Sequence, residues 1–145
     1  MIDKFYEELS TGERWVSGGR TITETDLVMF SAFSGDWFPI HSNIEYARET
    51  PYKKRIAHGM LVLSVSTGLM RFDASKVAVF YGMDRIRFVN PTFIGDTVYV
   101  EATVREMADH SEHQGLAILE ITVENQHRKD VMIGSMKLMV NKRRK

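Results

Sequence analysis

The chain has 145 residues, of which 43% are apolar and 26% are charged, as in an ordinary globular protein. This length predicts one domain, residues 1–145, with room for a single substantial core. Nineteen basic and nineteen acidic side chains cancel, so the overall charge does not favour nucleic acid or an anionic membrane as a partner. The absence of cysteine excludes disulfides, thiolate metal sites and a cysteine nucleophile.

Three further expectations concern metals, location and the chain end. The five histidines show no metal-binding spacing on a predicted helix, and we expect no metal. The first eight residues lack the apolar core of a signal peptide, and no apolar run is long enough to span a bilayer. We therefore predict a cytoplasmic protein without a membrane partner. The basic run Lys142–Lys145 is expected to be a solvated tail.

Two short helices are predicted in the first third of the chain. A capping pattern that starts at Thr23, followed by apolar residues three apart, predicts a helix over 24–34. A capping box that starts at Ser42 predicts a second helix near 43–50, and the following Pro51 disfavours its continuation.

The rest of the chain predicts one helix and four strands. Segment 57–72 is apolar on all faces with small residues between, which indicates a long buried helix. Strands are predicted where apolar and polar residues alternate, at 98–105 and 117–124, and at the strand-like runs 77–89 and 131–140. Because the turns between them are short, neighbouring strands are expected to pair antiparallel. One antiparallel sheet wrapped around one long buried helix is the hot-dog architecture, although composition alone permits other α+β arrangements.

The candidate functional residues lie just before the second helix and at the head of the buried one. Asp36 and His41 place an acid and a base five residues apart, and His58 and Gly59 begin the buried segment seventeen residues later. An acid and a base together can hold and polarise a water molecule. A helix N-terminus presents free backbone N–H groups to an oxygen that becomes negative. This combination predicts a hydratase site.

Each of these residues also has a structural interpretation. Asp36 suits a turn after a helix, and His41 can simply precede a helix cap. Gly59 can be small so that the helix packs closely against the sheet. For His58 a structural or loop-orienting role is favoured over direct proton transfer. Residues 53–55 are basic and could meet the phosphates of coenzyme A, but a solvated loop is the preferred interpretation.

Several motifs occur in an order that resembles a known family. They are Ser34-Gly35-Asp36 with Pro39 and His41, Tyr46-Ala47, the segment from Arg55 to Leu61, Arg87-Phe88, Pro91, and Gly95-Asp96-Thr97. From about Arg20 to Val140 the sequence resembles the MaoC-like hydratases and dehydratases, which include the (R)-specific enoyl-CoA hydratases. The resemblance implies a hot-dog fold.

The resemblance also implies a reaction and an assembly. Asp36 and His41 are expected to activate the water, and the Gly59 N–H is expected to bind the thioester carbonyl oxygen. The resemblance implies an acyl-CoA or acyl-carrier thioester as the substrate, a product of (R) stereochemistry, and no cofactor beyond the coenzyme A of the substrate. Two sheets are expected to join in a homodimer or a larger homo-oligomer, with the sites near the interface.

Two positions bear on the acyl group. Where the family loop usually carries asparagine, this sequence has Phe38, whose ring either lines the acyl pocket or packs into the core. Where these hydratases often carry a serine that faces the acyl chain, this sequence has Thr67, which keeps a hydroxyl.

The sequence therefore predicts a hydratase or dehydratase that acts on enoyl thioesters. One alternative is a hot-dog acyl-CoA thioesterase, in which a carboxylate directs water at the carbonyl carbon. The other is a non-catalytic acyl-CoA-binding subunit, for which Phe38 is the main indication.

Overall fold

The computed structural model describes residues 2–143. After a single 3-10 turn at Tyr6–Glu8, the elements in chain order are β1 (Arg14–Val16), β2 (Arg20–Thr21), α1 (Glu24–Ser34), α2 (Pro39–Ser42), α3 (Ile44–Glu49), α4 (Gly59–Met70), β3 (Val77–Phe88), β4 (Thr97–Asp109), β5 (Gln114–Glu124) and β6 (Asp130–Asn141). Helices and one antiparallel sheet share a single core. The predicted α+β class and the four long strands are confirmed.

The sheet has the strand order β1-β4-β5-β6-β3, and β2 pairs with the start of β4. All pairings are antiparallel, as the short turns predict. Strand β5 lies in the middle, and its inward residues Leu119, Ile121 and Val123 are fully buried. Strand β3 pairs with β6 and lies at the edge of the sheet.

Helix α4 packs one face into the core formed by the sheet. Its buried residues, four apolar and one polar, are Leu61, Val62, Val65, Met70 and Ser66. The opposite side remains open, since Met60 is 56% exposed and Ser64 and Gly68 are also exposed. The prediction of a helix buried on all sides is therefore correct for one face only, because a single sheet covers α4.

The capping residues decide where the helices begin near the site. The Thr23 side chain accepts a hydrogen bond from the third residue of α1, as predicted. The cap predicted at Ser42 is wrong. Ser42 is the last residue of α2, and its hydroxyl donates to the Trp37 carbonyl at 2.9 Å. Asn43 caps α3 instead and accepts from the Tyr46 N–H at 3.0 Å.

The basic C-terminal run is tied to the fold as far as it is described. Lys142 forms an ion pair with Asp109, and Arg143 forms one with Glu8. The expectation of a solvated tail is therefore wrong for these two residues, and residues 144 and 145 lie outside the described range. Among residues 2–143, no helix is both long and apolar enough to cross a membrane.

Candidate active site

Asp36 is positioned by the end of α1. Gly35 ends the helix in the left-handed conformation, with φ of 78°, which glycine adopts without strain. The Phe38 N–H then donates to Oδ1 of Asp36 at 3.1 Å, an Asx turn that fixes the carboxyl group. Within residues 2–143 no hydrogen bond engages its Oδ2, which remains available to a ligand.

His41 lies on the short helix α2 and is half-buried. Pro39 begins this helix, where a missing N–H costs nothing. The Nδ1 of His41 is 2.7 Å from the Ile56 carbonyl oxygen. Because a carbonyl only accepts, Nδ1 must carry the hydrogen, and Nε2 is the acceptor of the neutral ring.

The fold brings Asp36 and His41 together, with His58 as a third neighbour. One potential ligand atom from each of the three side chains lies within 4.8 Å of the others. The His41 and His58 rings are stacked, with centroids 3.9 Å apart and planes 27° from parallel. The predicted acid and base are thus adjacent at the surface, and His58 lies behind them.

His58 is buried, with 2% of its surface exposed, and occupies the N-cap position of α4, where its side chain makes no capping hydrogen bond. Its Nε2 lies 3.0 Å from the main-chain oxygen of Asp36 and 3.1 Å from the Ser31 hydroxyl. Burial, and then the nearby His41, lower the pKa of His58 below its ordinary value, so that the neutral ring is favoured.

Ser31 is a site neighbour that the sequence analysis missed. It is 2% exposed and lies one helical turn after the buried Leu27, so that both residues share the inner face of α1. A serine on the apolar face of a helix was the available signal. Nothing in the local sequence connects it to His58, which is 27 residues away in the chain.

Gly59 is the first residue of α4, as predicted, and its N–H has no partner within the helix. A β-carbon at this position would lie 2.5 Å from the ring of Phe88. An alanine here would have to displace the exposed Phe88 ring, so the glycine permits this close packing, and its N–H lies at the positive end of the helix dipole. The structural and the functional interpretations of Gly59 are compatible.

The two positions predicted to bear on the acyl group occupy different surroundings. Phe38 is 57% exposed, and its ring lies 6.4 Å from that of His41 and 6.3 Å from that of Tyr46. The expectation that it could pack into the core is therefore wrong. The Thr67 hydroxyl donates to the Ser64 carbonyl at 2.7 Å. Thr67 itself lies about 12 Å along the helix axis from the first residue of α4.

The expectation of a solvated basic loop holds for the exposed Lys53 and Lys54 but is wrong for Arg55. Its guanidinium donates through two nitrogens to the carboxylate of Glu24, at 2.8 and 2.5 Å, and its side chain is only 15% exposed. This pairing lowers the pKa of Glu24. The bidentate pair fastens the segment before α4 to the start of α1.

Asp36, His41 and His58 are close enough to be considered as metal ligands. The Nδ1 of His41, however, faces the Ile56 carbonyl and carries a hydrogen there, which removes one possible ligand atom. The Nε2 of His58 also faces a carbonyl, and must carry a hydrogen there. The three residues fit a hydrogen-bonded cluster better than a coordination sphere.

Comparison with known proteins identifies related sequences. Over 104 residues the chain is 34% identical to an (R)-specific enoyl-CoA hydratase of Rhodospirillum rubrum, covering 72% of each protein. Over 104 residues it is 36% identical to the protein MaoC of Klebsiella aerogenes, covering 70% of this chain and 31% of that protein. The matched region thus spans about a third of the length of MaoC.

Solved structures show the same fold. A monoamine oxidase regulatory protein from Archaeoglobus fulgidus superposes with a TM-score of 0.92 at 34% identity, covering 99% of this chain and 98% of the other. A Mycobacterium tuberculosis protein with a double hot-dog fold superposes with a TM-score of 0.85 at 19% identity, covering 97% of this chain and 44% of the other. The predicted hot-dog fold is confirmed.

The sequence profile of the MaoC-like domain matches residues 10–125, which is most of the chain. The matched range includes Asp36, His41 and Gly59 together with strands β1 to β5. The chain therefore belongs to the MaoC-like dehydratase family, as the resemblance of its motifs implied.

Proposed function

We propose that this protein is a hydratase that adds water to the double bond of an enoyl thioester and gives the (R)-3-hydroxyacyl thioester, or catalyses the reverse dehydration. The observation that carries the proposal is the adjacency of Asp36 and His41 beside the first turn of α4. The name of the Rhodospirillum rubrum relative supports a coenzyme A thioester and the (R) product.

The pair offers two acceptors to one water molecule. These are the Nε2 of His41, whose other nitrogen donates to a carbonyl, and the Oδ2 of Asp36. As the water oxygen attacks the β-carbon, one of its protons moves to the pair, and the pair delivers a proton to the α-carbon. The pair ends in its starting protonation state, and the reaction consumes only the thioester and water.

The Gly59 N–H is proposed to stabilise the charge that develops during the addition. Attack at the β-carbon moves electrons towards the thioester oxygen, which becomes enolate-like. A fixed donor at a helix N-terminus stabilises such an oxygen by on the order of 3 kcal/mol, or a hundred- to thousandfold in rate. No group other than the protein and the thioester is needed for this chemistry, so the proposed reaction uses no cofactor.

We also propose that the active form is a homodimer or a larger homo-oligomer. Three consecutive residues of the edge strand β3, Val79, Phe80 and Tyr81, are 51%, 43% and 62% exposed. Because neighbouring residues of a strand point to opposite faces, both faces of this edge expose apolar side chains. An uncovered apolar edge favours pairing with another sheet, and a second copy of this chain supplies the matching edge.

The direct test is an assay with a panel of thioesters that separates hydration from its alternatives. Crotonyl-, longer enoyl-, mesaconyl- and itaconyl-CoA are offered, loss of the conjugated double bond is followed, and the product is analysed with an (R)-specific coupling enzyme. We expect hydration of at least one substrate without release of free thiol. Asp36→Asn is the inactive control.

Two other results would contradict the proposal. Release of free thiol from saturated acyl-CoA, with the double bond left intact in enoyl substrates, would identify a thioesterase. Binding of acyl-CoA without turnover of any substrate in the panel would identify a non-catalytic binding subunit.

A further inference from the structure

Two buried polar side chains lie behind the proposed catalytic pair and take no part in the proposed chemistry. Ser31 comes from the inner face of α1, and His58 comes from the start of α4; each is only 2% exposed. They contact each other, with 3.1 Å between the serine Oγ and the histidine Nε2. Buried polar groups are costly unless hydrogen-bonded, so this contact between two helices calls for an explanation.

The contact with Asp36 settles which nitrogen of His58 carries the hydrogen. The Nε2 lies 3.0 Å from the Asp36 main-chain oxygen, which can only accept a hydrogen bond. Nε2 therefore bears the hydrogen, and Nδ1 of the neutral ring bears a lone pair. That Nδ1 is buried without a hydrogen-bond partner within residues 2–143. One edge of the ring is thus dedicated to the backbone of Asp36 and the hydroxyl of Ser31.

The face of the same ring supports His41. The two imidazoles stack at 3.9 Å, and the Phe30 ring lies 4.9 Å from that of His58 at a tilt of 53°. His41 is meanwhile held at its Nδ1 edge by the Ile56 carbonyl. A ring fixed by one hydrogen bond can still tilt, whereas a stacked neighbour restricts that tilt.

We propose that His58, held in its tautomer by the Asp36 main-chain oxygen and in its orientation by Ser31, is a positioning residue that aligns Asp36 and His41 with each other. It touches the acid through its backbone and the base through its ring face, and burial shields it from the surface. This inference rests on the proposed hydratase function.

Direct proton transfer by His58 does not fit these contacts. Within residues 2–143, the titratable side chains that influence its ring are those of Asp36 and His41. Its Nε2–H already donates to a carbonyl, and its Nδ1 is enclosed by protein. A general acid or base must reach the reacting atoms directly or through one water. The ring is placed to orient the pair rather than to exchange protons with the substrate.

Substitutions separate the two contacts of His58. His58→Gln keeps a side-chain N–H for the Asp36 carbonyl but loses the stacked ring, whereas His58→Phe keeps a ring but loses the donor. Ser31→Ala removes the hydroxyl, and Ser31→Thr restores it. Ser66→Ala is the matched control, because Ser66 is equally buried and its hydroxyl donates to its own helix at 2.7 Å from the Val62 oxygen.

We expect each loss of contact to lower kcat by about 10- to 100-fold with little change in KM, because misplacement by a fraction of an ångström disturbs catalysis more than binding. Ser31→Thr should recover most of the loss seen with Ser31→Ala, and Ser66→Ala should retain the wild-type kcat. Equal activity in Ser31→Ala, His58→Phe and the wild type would overturn the inference. A fall in kcat for Ser66→Ala as large as that for Ser31→Ala would also overturn it, since any buried hydroxyl would then have the same effect.

Imidazole nitrogen chemical shifts, measured by long-range ¹H–¹⁵N NMR, test the inference without turnover. We expect the wild type to show Nε2–H at His58 and Nδ1–H at His41, and Ser31→Ala to perturb both rings while Ser66→Ala perturbs neither. If the wild type hydrates no thioester, the proposed function fails, but these spectra still decide whether Ser31 and His58 orient His41. Unchanged His41 signals in Ser31→Ala and in His58→Phe would overturn the positioning role.

Discussion

Gly59 and the Phe88 ring approach so closely that a β-carbon on the glycine would lie 2.5 Å from the nearest ring carbon. Real β-carbons do not tolerate this distance, so a side chain on the first residue of α4 would have to displace the Phe88 ring at the end of β3 from its observed position. The contact holds the N-terminus of α4, with its free N–H, against the edge strand.

Gly59→Ala is therefore expected to force the Phe88 ring aside and to destabilise the protein by roughly 1–3 kcal/mol. Gly68→Ala in the same helix is the matched control, since a β-carbon there meets nothing within 4 Å. Better helix propensity should make the control neutral or stabilising by up to about 1 kcal/mol. Urea unfolding of both variants measures the difference, and equal midpoints would show that the ring contact imposes no constraint.

Asp36→Asn and His41→Ala are each expected to lower kcat by roughly a hundred- to ten-thousandfold with the fold intact. The double variant should be little worse than either single variant, because both residues serve one step. His113→Ala, at an exposed histidine between β4 and β5, is the control and should keep the wild-type activity. Steady-state hydration kinetics and circular dichroism provide the measurements. Near-full activity in either single variant would rule out the mechanism.

The sequence predicted those parts of the site that depend on local signals. The loop of Asp36 and His41 and the glycine at the head of α4 are recognisable because their spacing is short and their order is specific. The cap of α1 at Thr23 and the alternation of apolar and polar residues in the strands are likewise recognisable from residues that are close together in the chain. Sequence therefore located the pair, but it could not give the orientation of the His41 ring or its stacking on His58.

The missed contacts join residues that are far apart in the chain. Ser31 meets His58 across 27 residues, and Arg55 meets Glu24 across 31. Neither pairing has a periodicity or a motif, because tertiary packing alone brings the residues together. The misplaced cap of α3 had another cause: Ser42 and Asn43 are both good capping residues, and the short helix started by Pro39 decided between them.

The chain is expected to run as a dimer or a larger assembly in light scattering. Val79→Lys in the edge strand β3 should shift it towards the monomer by placing a charge at the proposed contact. Val16→Lys is the matched control, because Val16 is 53% exposed against 51% for Val79 but lies on β1 at the opposite edge of the sheet. A wild type that is monomeric and active at micromolar concentration would contradict the proposed assembly.

Stability is expected to fall as the pH drops below about 6.5, the ordinary pKa of histidine. Burial lowers the pKa of His58, so between 6.5 and its folded value the unfolded chain binds a proton that the folded chain does not. Above 6.5 both states are neutral at this residue and the effect vanishes. The pKa of Glu24 is also lowered, but its contribution is lost only below 4.5, in a separate range.

Urea midpoints at pH 7.5 and 5.0 measure this dependence in the wild type and in His58→Phe. The variant should lose less stability over this interval, because it carries no buried imidazole. Equal losses in the two proteins would show that His58 does not contribute to the pH dependence.

Phe38→Asn restores the residue that the family loop usually carries. The exposure of the Phe38 ring limits the effect that this substitution can have on stability. The ring is 57% exposed and lies edge-on to His41 at 6.4 Å. Removing an exposed ring should change the melting temperature little. If the ring lines the acyl pocket, its loss should change the ratio of kcat/KM between short and long or branched enoyl-CoAs by tenfold or more, since one methylene of discrimination is worth about 1–3 kcal/mol.

The matched control is Phe33→Asn, which removes a ring that is 91% exposed on α1. It should leave the specificity ratio at its wild-type value. The melting temperature and the ratio are measured on both variants. An unchanged ratio in Phe38→Asn would reject the pocket interpretation, and a matching change in Phe33→Asn would show that the effect does not depend on the position beside His41.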